Sequence, residues 1–262
     1  ITITDYEGIQ AVFADVDTVF HQAALSSVVR SMENPREAHD ICATGTLNVL
    51  QAAYANGVRR VVYAASASAY GNVESDQIDE SLVPAPISPY GAAKLAGEYY
   101  CQMYAQAYGL ETVSLRYFNV FGERQDPRSE YAAVIPKFIT QLIAGNAPTI
   151  YGTGDQTRDF THVGNVVQGN LLACKSDDAV GMVINMATGK SVSLLYLLER
   201  MSDIMNIDVT PSFAPMRSGD IMHSSASIAR AEALLDFAPV VSFDPGLEKT
   251  ITWYQQQHNE NL

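Results

Sequence analysis

Short apolar runs alternate with longer amphipathic stretches along the first half of the chain. The runs over 17–21, 59–65 and 111–117 are typical of buried strands in a parallel sheet. Between them, apolar residues recur at helical spacing from about 36 to 54 and from 89 to 108. This β-α-β-α-β order predicts an α/β fold with a doubly wound parallel sheet and right-handed crossovers.

The alternation becomes less regular after residue 121, which predicts a smaller, mixed α/β part. Two helices, two strands and three further helical stretches are expected there. The first four of these elements, alternating helix and strand, lie over 134–144, 149–151, 163–174 and 182–185. We expect one domain over 1–120 and a second part over 121–262, with the 160–190 region returning to the first sheet.

The composition limits the classes of protein and ligand. With 262 residues and 47% hydrophobic content, the chain can bury a full core. Its net charge of −13 argues against a nucleic-acid or anionic-membrane surface, so an anionic ligand requires a few placed arginines. The cysteines and histidines show neither disulfide nor metal-ligand spacing, so we expect reduced thiols and no metal. Because no apolar run reaches about 18 residues, we expect a cytoplasmic protein.

Tyr90 and Lys94 lie four residues apart on the second predicted helix and therefore share one face. Ser88 suits the N-cap of this helix, Pro89 its first position and Gly109 its C-terminal end. A phenol beside an ammonium is a candidate base, although ionising it near neutral pH requires roughly 4 kcal/mol of preferential phenolate stabilisation. A half-buried phenol beside a solvated amine is the alternative, since the chain has 14 tyrosines.

Ser66 and Ser68 directly follow the predicted strand over 59–65. Ligands of open α/β sheets bind beyond the carboxyl ends of the strands. A hydroxyl group at that edge is placed to relay a proton to Tyr90. Ordinary turn chemistry is the alternative for both serines.

The glycine-rich loop of dinucleotide-binding folds, G-x-G-x-x-G, is absent from the sequence. The nearest match, Gly152-Thr153-Gly154, lacks the third glycine. The chain also begins with Ile1, only one helix and one strand before His21. From the length of a βαβ unit, we expect roughly fifty to sixty residues to precede Ile1 in the native protein.

Six short motifs follow one another in a fixed order. They are Asp17-x-x-x-His21-x-Ala23-Ala24, Gly45-Thr46-Leu47-Asn48, Ser66-x-Ser68-x-Tyr70-Gly71, Tyr90-x-x-x-Lys94, Arg116-Tyr117-Phe118-Asn119-Val120-Phe121-Gly122 and Arg158-Asp159-Phe160. Together they resemble the extended short-chain dehydrogenase/reductase family, in its nucleotide-sugar epimerase/dehydratase branch. The resemblance implies an NAD-binding Rossmann domain, a nucleotide-sugar-binding part, a UDP-sugar substrate and a homodimer formed through the helices at 36–56 and 89–108.

The resemblance also implies roles for individual residues. Tyr90 would be the catalytic base, Lys94 would hold the nicotinamide ribose and lower the pKa of Tyr90, and Ser66 would share the proton. The implied cofactor contacts are Ala23, Ala24, Tyr90, Lys94 and Tyr117. The implied substrate contacts are Ser66, Ser68, Asn119, Tyr151, Arg158, Arg217, Asp220 and Ser224.

Within the substrate set, Asn119 would bind the diphosphate or the sugar. Arg158 and Arg217 would pair with the diphosphate, for which a guanidinium offers bidentate bonds. Asp220 would bind the uridine ribose and Tyr151 would flank the uracil. Surface ion pairs are the alternative for the two arginines.

Three positions depart from the family pattern. Cys42 stands where members carry an Asn that helps to hold the cofactor, and Gln22 stands where a Leu is common. An Asp that meets the adenine is missing near Thr2. Loss of the Asn hydrogen bond costs about 1 kcal/mol, so we expect weaker retention of the cofactor.

The residues beside Ser66 select the reaction within the branch. Dehydratases and decarboxylases carry an extra carboxylate just before the Tyr-Gly pair, where this chain has Ala67 and Ser68. Reversible oxidation at C4, hence 4-epimerisation, is the chemistry that remains. Another nucleotide-sugar reductase or epimerase of this fold and a non-catalytic homologue that binds the sugar are the alternatives.

Ser224 occupies the place that resembles the family's gatekeeper of the sugar pocket. A bulky Tyr there restricts the pocket to plain hexoses, whereas a small residue admits a 2-acetamido group. The resemblance therefore favours UDP-GlcNAc/UDP-GalNAc and leaves UDP-Glc/UDP-Gal open as further substrates.

Overall fold

The computed structural model describes residues 1–73, 77–127, 133–216, 222 and 224–260. The strands within these ranges are β1 Thr18–His21, β2 Arg60–Ser66, β3 Glu111–Tyr117, β4 Val120–Phe121, β5 Thr149–Tyr151, β6 Thr157–Arg158, β7 Thr161–His162, β8 Val183–Met186, β9 Val192–Ser193 and β10 Ser212–Ala214. The α-helices are α1 Tyr6–Gln10, α2 Val28–Glu33, α3 Pro35–His39, α4 Gly45–Ala55, α5 Pro89–Met103, α6 Val134–Ile143, α7 Val163–Ala173, α8 Leu194–Met205, α9 Ala229–Leu235 and α10 Phe243–Glu260.

A parallel sheet in the order β1-β2-β3-β8 lies at the centre of the fold. All seven residues of β2 are buried, because helices cover both faces of the sheet. Val61 and Tyr63 pack with Leu50 of α4 on one face. Val62 packs with Val166 of α7 on the other. This is the predicted doubly wound α/β fold, and β8 joins it from the later part of the chain.

A separate apolar cluster forms beyond the sheet. Phe138 of α6, Leu197 of α8 and Ile251 of α10 lie in this cluster together with Ile150 of β5. The parallel pair of β5 and β10 lies beside it. The division of the chain at about residue 120 remains a prediction.

The predicted helix over 36–54 is not continuous. It divides into α3 and α4, which a π-helical turn at Asp40–Thr44 connects. At the start of α4, a Cβ on Gly45 would lie only 2.7 Å from the side chain of Ile3, which would have to shift to make room for it. The sequence reading also missed α2, which places Ser31 beside the start of α5.

Candidate active site

The carboxyl ends of three neighbouring strands bring several predicted residues together. Ser66 ends β2 and is paired in register with Tyr117, which ends β3. The next strand, β1, ends at His21, so Ala23 and Ala24 follow at the same edge. This edge is where ligands of open α/β sheets bind.

Tyr90 lies in the first turn of α5, where two hydroxyl groups hold it. The helix begins as predicted, with the Ser88 side chain accepting a hydrogen bond from the backbone of Gly91. Ser31, which is fully buried in α2, accepts from the backbone N–H of Tyr90 at 3.1 Å. The Tyr90 phenol lies beside the Ser66 hydroxyl, whose hydrogen-bonding capacity lowers the pKa of the phenol. The structure thus brings the candidate base and the candidate relay together.

Burial raises the pKa of the Tyr90 phenol above its usual value, and the hydrogen bond from Ser66 only partly offsets this. The expectation that Lys94 lowers this pKa therefore does not hold for the protein alone. Burial in an apolar environment destabilises the phenolate by more than the neighbouring groups stabilise it. A lowered pKa would require a further positive charge at this site.

Lys94 lies one turn further along α5 and is only 2% exposed. Its Nζ lies 4.4 Å from the centroid of the Tyr63 ring, and the Tyr63 hydroxyl donates to the Lys94 carbonyl at 3.2 Å. Burial is the main cause that lowers the pKa of Lys94 to about 8. Within the described parts of the chain, its ammonium has no ion-pair or hydrogen-bond partner.

These residues fit the predicted cofactor. An enclosed ammonium without a partner is available to ribose hydroxyl groups. Ala23 is exposed and Ala24 partly so, and their small side chains leave the backbone accessible to a ligand. Cys42 is buried in the π-helical turn, and its thiol lies 3.8 Å from the carbonyl oxygen of Leu25, which directly follows Ala23 and Ala24. The departure from Asn is therefore accommodated by a local contact.

The hydroxyl of Tyr117, a predicted cofactor contact, already has hydrogen-bond partners within the protein. Its hydroxyl accepts from the side-chain amides of Asn170 at 2.8 Å and Gln22 at 3.0 Å. Gln22, the second departure from the family pattern, thus has a specific partner. If Tyr117 contacts the cofactor, it does so through its ring.

The predicted substrate residues form a second group that long-range contacts assemble. The Asn119 amide donates to the backbone oxygen of Asp159 at 3.0 Å, and Arg158 lies in the neighbouring β6. Ser224 is 8% exposed, and its backbone N–H donates to the carbonyl of Thr157 at 3.2 Å. Arg158 lies in the segment over 157–159, and both Asn119 and Ser224 are hydrogen-bonded to that segment.

The remaining predicted contacts are less closely connected. Tyr151 ends β5, and its carbonyl accepts from the side chain of Gln156 at 2.6 Å. Ser68 lies in the turn after β2, where its N–H donates to the Ser66 hydroxyl at 3.1 Å. Arg217 and Asp220 lie outside the described residues, so their predicted roles stay predictions.

Three buried polar groups escaped the sequence reading. Ser31 gave no local signal, and Asp159 stood only in the Arg158-Asp159-Phe160 motif without a role, because the partners of both residues are distant in sequence. Glu98 did give a local signal, since it continues the spacing of Tyr90 and Lys94 by one more turn. It binds Arg116 bidentately at 2.7 and 2.9 Å, and both side chains are almost fully buried.

Other parts of the described structure add little chemistry. A cavity of about 750 Å³ lies between β9, α8 and the start of α10, and none of the predicted site residues lines it. The described residues contain no cluster of His, Cys, Asp and Glu arranged for a metal ion. In the same ranges, every helix is too short or too polar to cross a membrane.

A Rossmann-type parallel sheet whose carboxyl edge carries a Ser beside a Tyr-x-x-x-Lys helix defines the short-chain dehydrogenase/reductase class. Within that class, the chain belongs to the NAD dependent epimerase/dehydratase family, whose model matches residues 1–187. The predicted family, fold class and cofactor NAD are thereby confirmed.

Solved structures and a curated relative agree with this assignment. The UDP-N-acetylglucosamine 4-epimerase from Methanobrevibacter ruminantium M1, in complex with UDP-N-acetylmuramic acid, is 38% identical with a TM-score of 0.94, over 98% of this chain and 82% of that chain. The UDP-glucose 4-epimerase from Thermotoga maritima, with UDP-glucose, is 33% identical with a TM-score of 0.94, over 98% of this chain and 84% of that one.

The UDP-glucose 4-epimerase of Mycolicibacterium smegmatis is 34% identical over 258 residues, which are 98% of this chain and 82% of the relative. The chain is therefore an enzyme of the UDP-sugar epimerase type. Because these relatives carry the names of different sugars, the similarity does not select the substrate.

Proposed function

We propose that this protein is an NAD-dependent UDP-sugar 4-epimerase that acts by transient oxidation at C4. The observation that carries the proposal is the Tyr90 phenol beside the Ser66 hydroxyl, one helical turn from the buried Lys94 ammonium, which has no ion-pair or hydrogen-bond partner among the described residues. The turn over 67–69 after Ser66 contains no carboxylate that would expel water or handle a carboxylated sugar.

The chain's own residues would move one proton. Tyr90 takes the proton from the sugar O4 as C4 is oxidised, and Ser66 stabilises the phenolate through its hydrogen bond. The proton returns to O4 when C4 is reduced from the opposite face. Lys94 holds the ribose hydroxyls. Bound NAD supplies the hydride acceptor and donor for C4 and, in its oxidised form, a positive charge that favours the Tyr90 phenolate.

We propose UDP-GlcNAc and UDP-GalNAc as the main substrate pair, with UDP-Glc and UDP-Gal as a second pair. The support is the small, buried Ser224, whose backbone is attached to the segment that carries Arg158. The related epimerase from Methanobrevibacter ruminantium M1 was solved with a 2-acetamido sugar nucleotide. Arg217 and Asp220 are proposed to complete the contacts to the diphosphate and ribose.

The test is incubation of the full-length protein with each of the four sugars, followed by separation of the products. We expect the two acetylated sugars to interconvert, with constant absorbance at 340 nm because NAD is restored in each turnover. Hexose turnover without acetylated product would contradict the role of Ser224. Net formation or consumption of reduced cofactor would favour a reductase of the same fold, and failure to capture NAD would favour a non-catalytic homologue.

We further propose a homodimer formed through α4 and α5. Four apolar or aromatic side chains on these helices and the turn after α5 are 36–57% exposed: Tyr54, Tyr99, Met103 and Tyr108. Exposed clusters of this kind are typical of protein interfaces. We expect Tyr99→Asp to halve the mass measured by light scattering, whereas Val240→Asp, at another exposed apolar position, leaves it unchanged. An unchanged mass for both variants would contradict the dimer through these helices.

A further inference from the structure

The carboxylate of Asp159 is completely buried in the substrate part of the site. One oxygen accepts from the backbone N–H of Thr188 at 3.0 Å and from its hydroxyl at 2.7 Å. The other accepts from the backbone N–H groups of Gly189 at 2.9 Å and Ala226 at 3.4 Å. This carboxylate therefore binds two chain segments that are about forty residues apart.

One of these segments carries the predicted gatekeeper. Ala226 lies two residues after Ser224, and the backbone of Met222 and Ser224 is bonded to Thr157 at 2.8 and 3.2 Å. Because Asp159 follows Arg158 directly, it holds the segment over 224–227 against the strand that is proposed to bind the diphosphate. The backbone oxygen of the same residue also accepts from Asn119.

We propose that Asp159 is a positioning residue that sets the width of the sugar end of the cleft. This inference rests on the proposed function, in which Arg158 binds the diphosphate and Ser224 borders the sugar. An aspartate accepts hydrogen bonds at both oxygens, whereas an asparagine of the same shape presents an N–H₂ group to two of the four donors. Asp159→Asn should therefore loosen the segment over 224–227 without leaving a cavity.

The test compares Asp159→Asn with Asp155→Asn, an exposed aspartate on the same stretch of chain. For Asp159→Asn we expect KM for UDP-GlcNAc to rise about tenfold and KM for UDP-Glc to rise less, so that the ratio of their kcat/KM values approaches one. We expect kcat to change less than about threefold, because Tyr90 and Ser66 do not contact Asp159. Asp155→Asn should match the wild type. A uniform loss of kcat with unchanged KM values and sugar preference would overturn the proposal.

Hydrogen exchange of the substrate-free protein gives a second readout, which does not depend on activity. We expect faster exchange over 224–227 in Asp159→Asn than in Asp155→Asn, and equal exchange would overturn the proposal. If Asp159→Asn does not fold, Thr188→Val removes the hydroxyl donor to Asp159 together with its weaker bonds to the Lys190 backbone, and Thr188→Ser should restore wild-type exchange and sugar preference. If the wild type turns over none of the four sugars, the proposed function fails, and the exchange experiment still decides whether Asp159 holds this segment.

Discussion

The catalytic corner and the substrate side of this site are built in different ways. The catalytic corner, consisting of Ser66, Tyr90 and Lys94, comes from one strand end and one helix. The substrate side, consisting of Asn119, Arg158 and Ser224, depends on contacts between short segments that are 40 to 67 residues apart in the chain. The comparison indicates that local spacing encodes the chemistry, whereas long-range packing encodes recognition of the sugar.

The largest expected effect tests the catalytic corner directly. Tyr90→Phe removes the only group that is proposed to accept the O4 proton, so we expect epimerisation to slow by about 10²–10⁴-fold with little change in stability. Tyr196→Phe, at an exposed tyrosine of α8, is the control. Wild-type turnover in Tyr90→Phe would contradict the catalytic role assigned to this corner of the site.

Acid should destabilise the catalytic corner through His21. This residue is buried, and its Nε2 donates at 3.0 Å to Thr46, whose own proton goes to the carbonyl of Cys42. Burial, with a smaller contribution from the charge of Lys94, lowers the pKa of His21 to about 3.

Because its folded-state pKa lies below the unfolded value near 6.5, the stabilisation from neutral His21 is present above pH 6.5 and is lost as the pH falls towards 3. We expect a loss of about 3–5 kcal/mol over that range, measured by urea unfolding, and a flatter profile for His21→Gln. His258→Gln, which is exposed, should follow the wild type. Parallel profiles for wild type and His21→Gln would contradict the effect.

The buried ammonium of Lys94 should lower the stability of the folded protein while it supports turnover and NAD binding. Its folded-state pKa of about 8 lies below the ordinary value of 10.5, so the charged side chain destabilises the folded protein at pH 7. We expect Lys94→Met to raise the free energy of unfolding by about 1–3 kcal/mol and to lower both turnover and NAD retention.

The stability difference should shrink as the pH rises from 8 to 10.5, because the folded wild type loses its proton first. Lys175→Met, at an exposed lysine, should change neither quantity. A Lys94→Met variant that is less stable than the wild type at pH 7 would contradict this account.

The smallest expected effect concerns the positioning of Tyr90. Ser31→Ala leaves the backbone N–H of Tyr90 without its acceptor, which costs about 1–3 kcal/mol when the group stays buried. We expect kcat to fall by about three- to tenfold with an unchanged KM. Ser26→Ala, at an exposed hydroxyl nearby, should behave as the wild type. A change in KM with an unchanged kcat would instead indicate that Ser31 supports substrate binding, which would contradict its role in positioning Tyr90.

The same division explains what the sequence could predict. The strands and the Tyr90 helix follow from apolar periodicity and from caps such as Ser88 and Gly109, so their positions were close to those observed. The π-helical turn at Asp40–Thr44 and the role of Asp159 depend on tertiary contacts, which no local pattern reveals. The burial that raises the pKa of Tyr90 in the protein alone could not be predicted, because spacing gives the neighbouring charge but not the depth of burial.

The central claim is that the protein inverts C4 by moving a hydride away and back while Tyr90 handles only the O4 proton. Its most direct test is ¹H NMR of UDP-GlcNAc incubated with the full-length protein in D₂O. The account predicts UDP-GalNAc that retains ¹H at C4, because the hydrogen never exchanges with solvent. Deuterium at C4, or a product formed by loss of water, would contradict it.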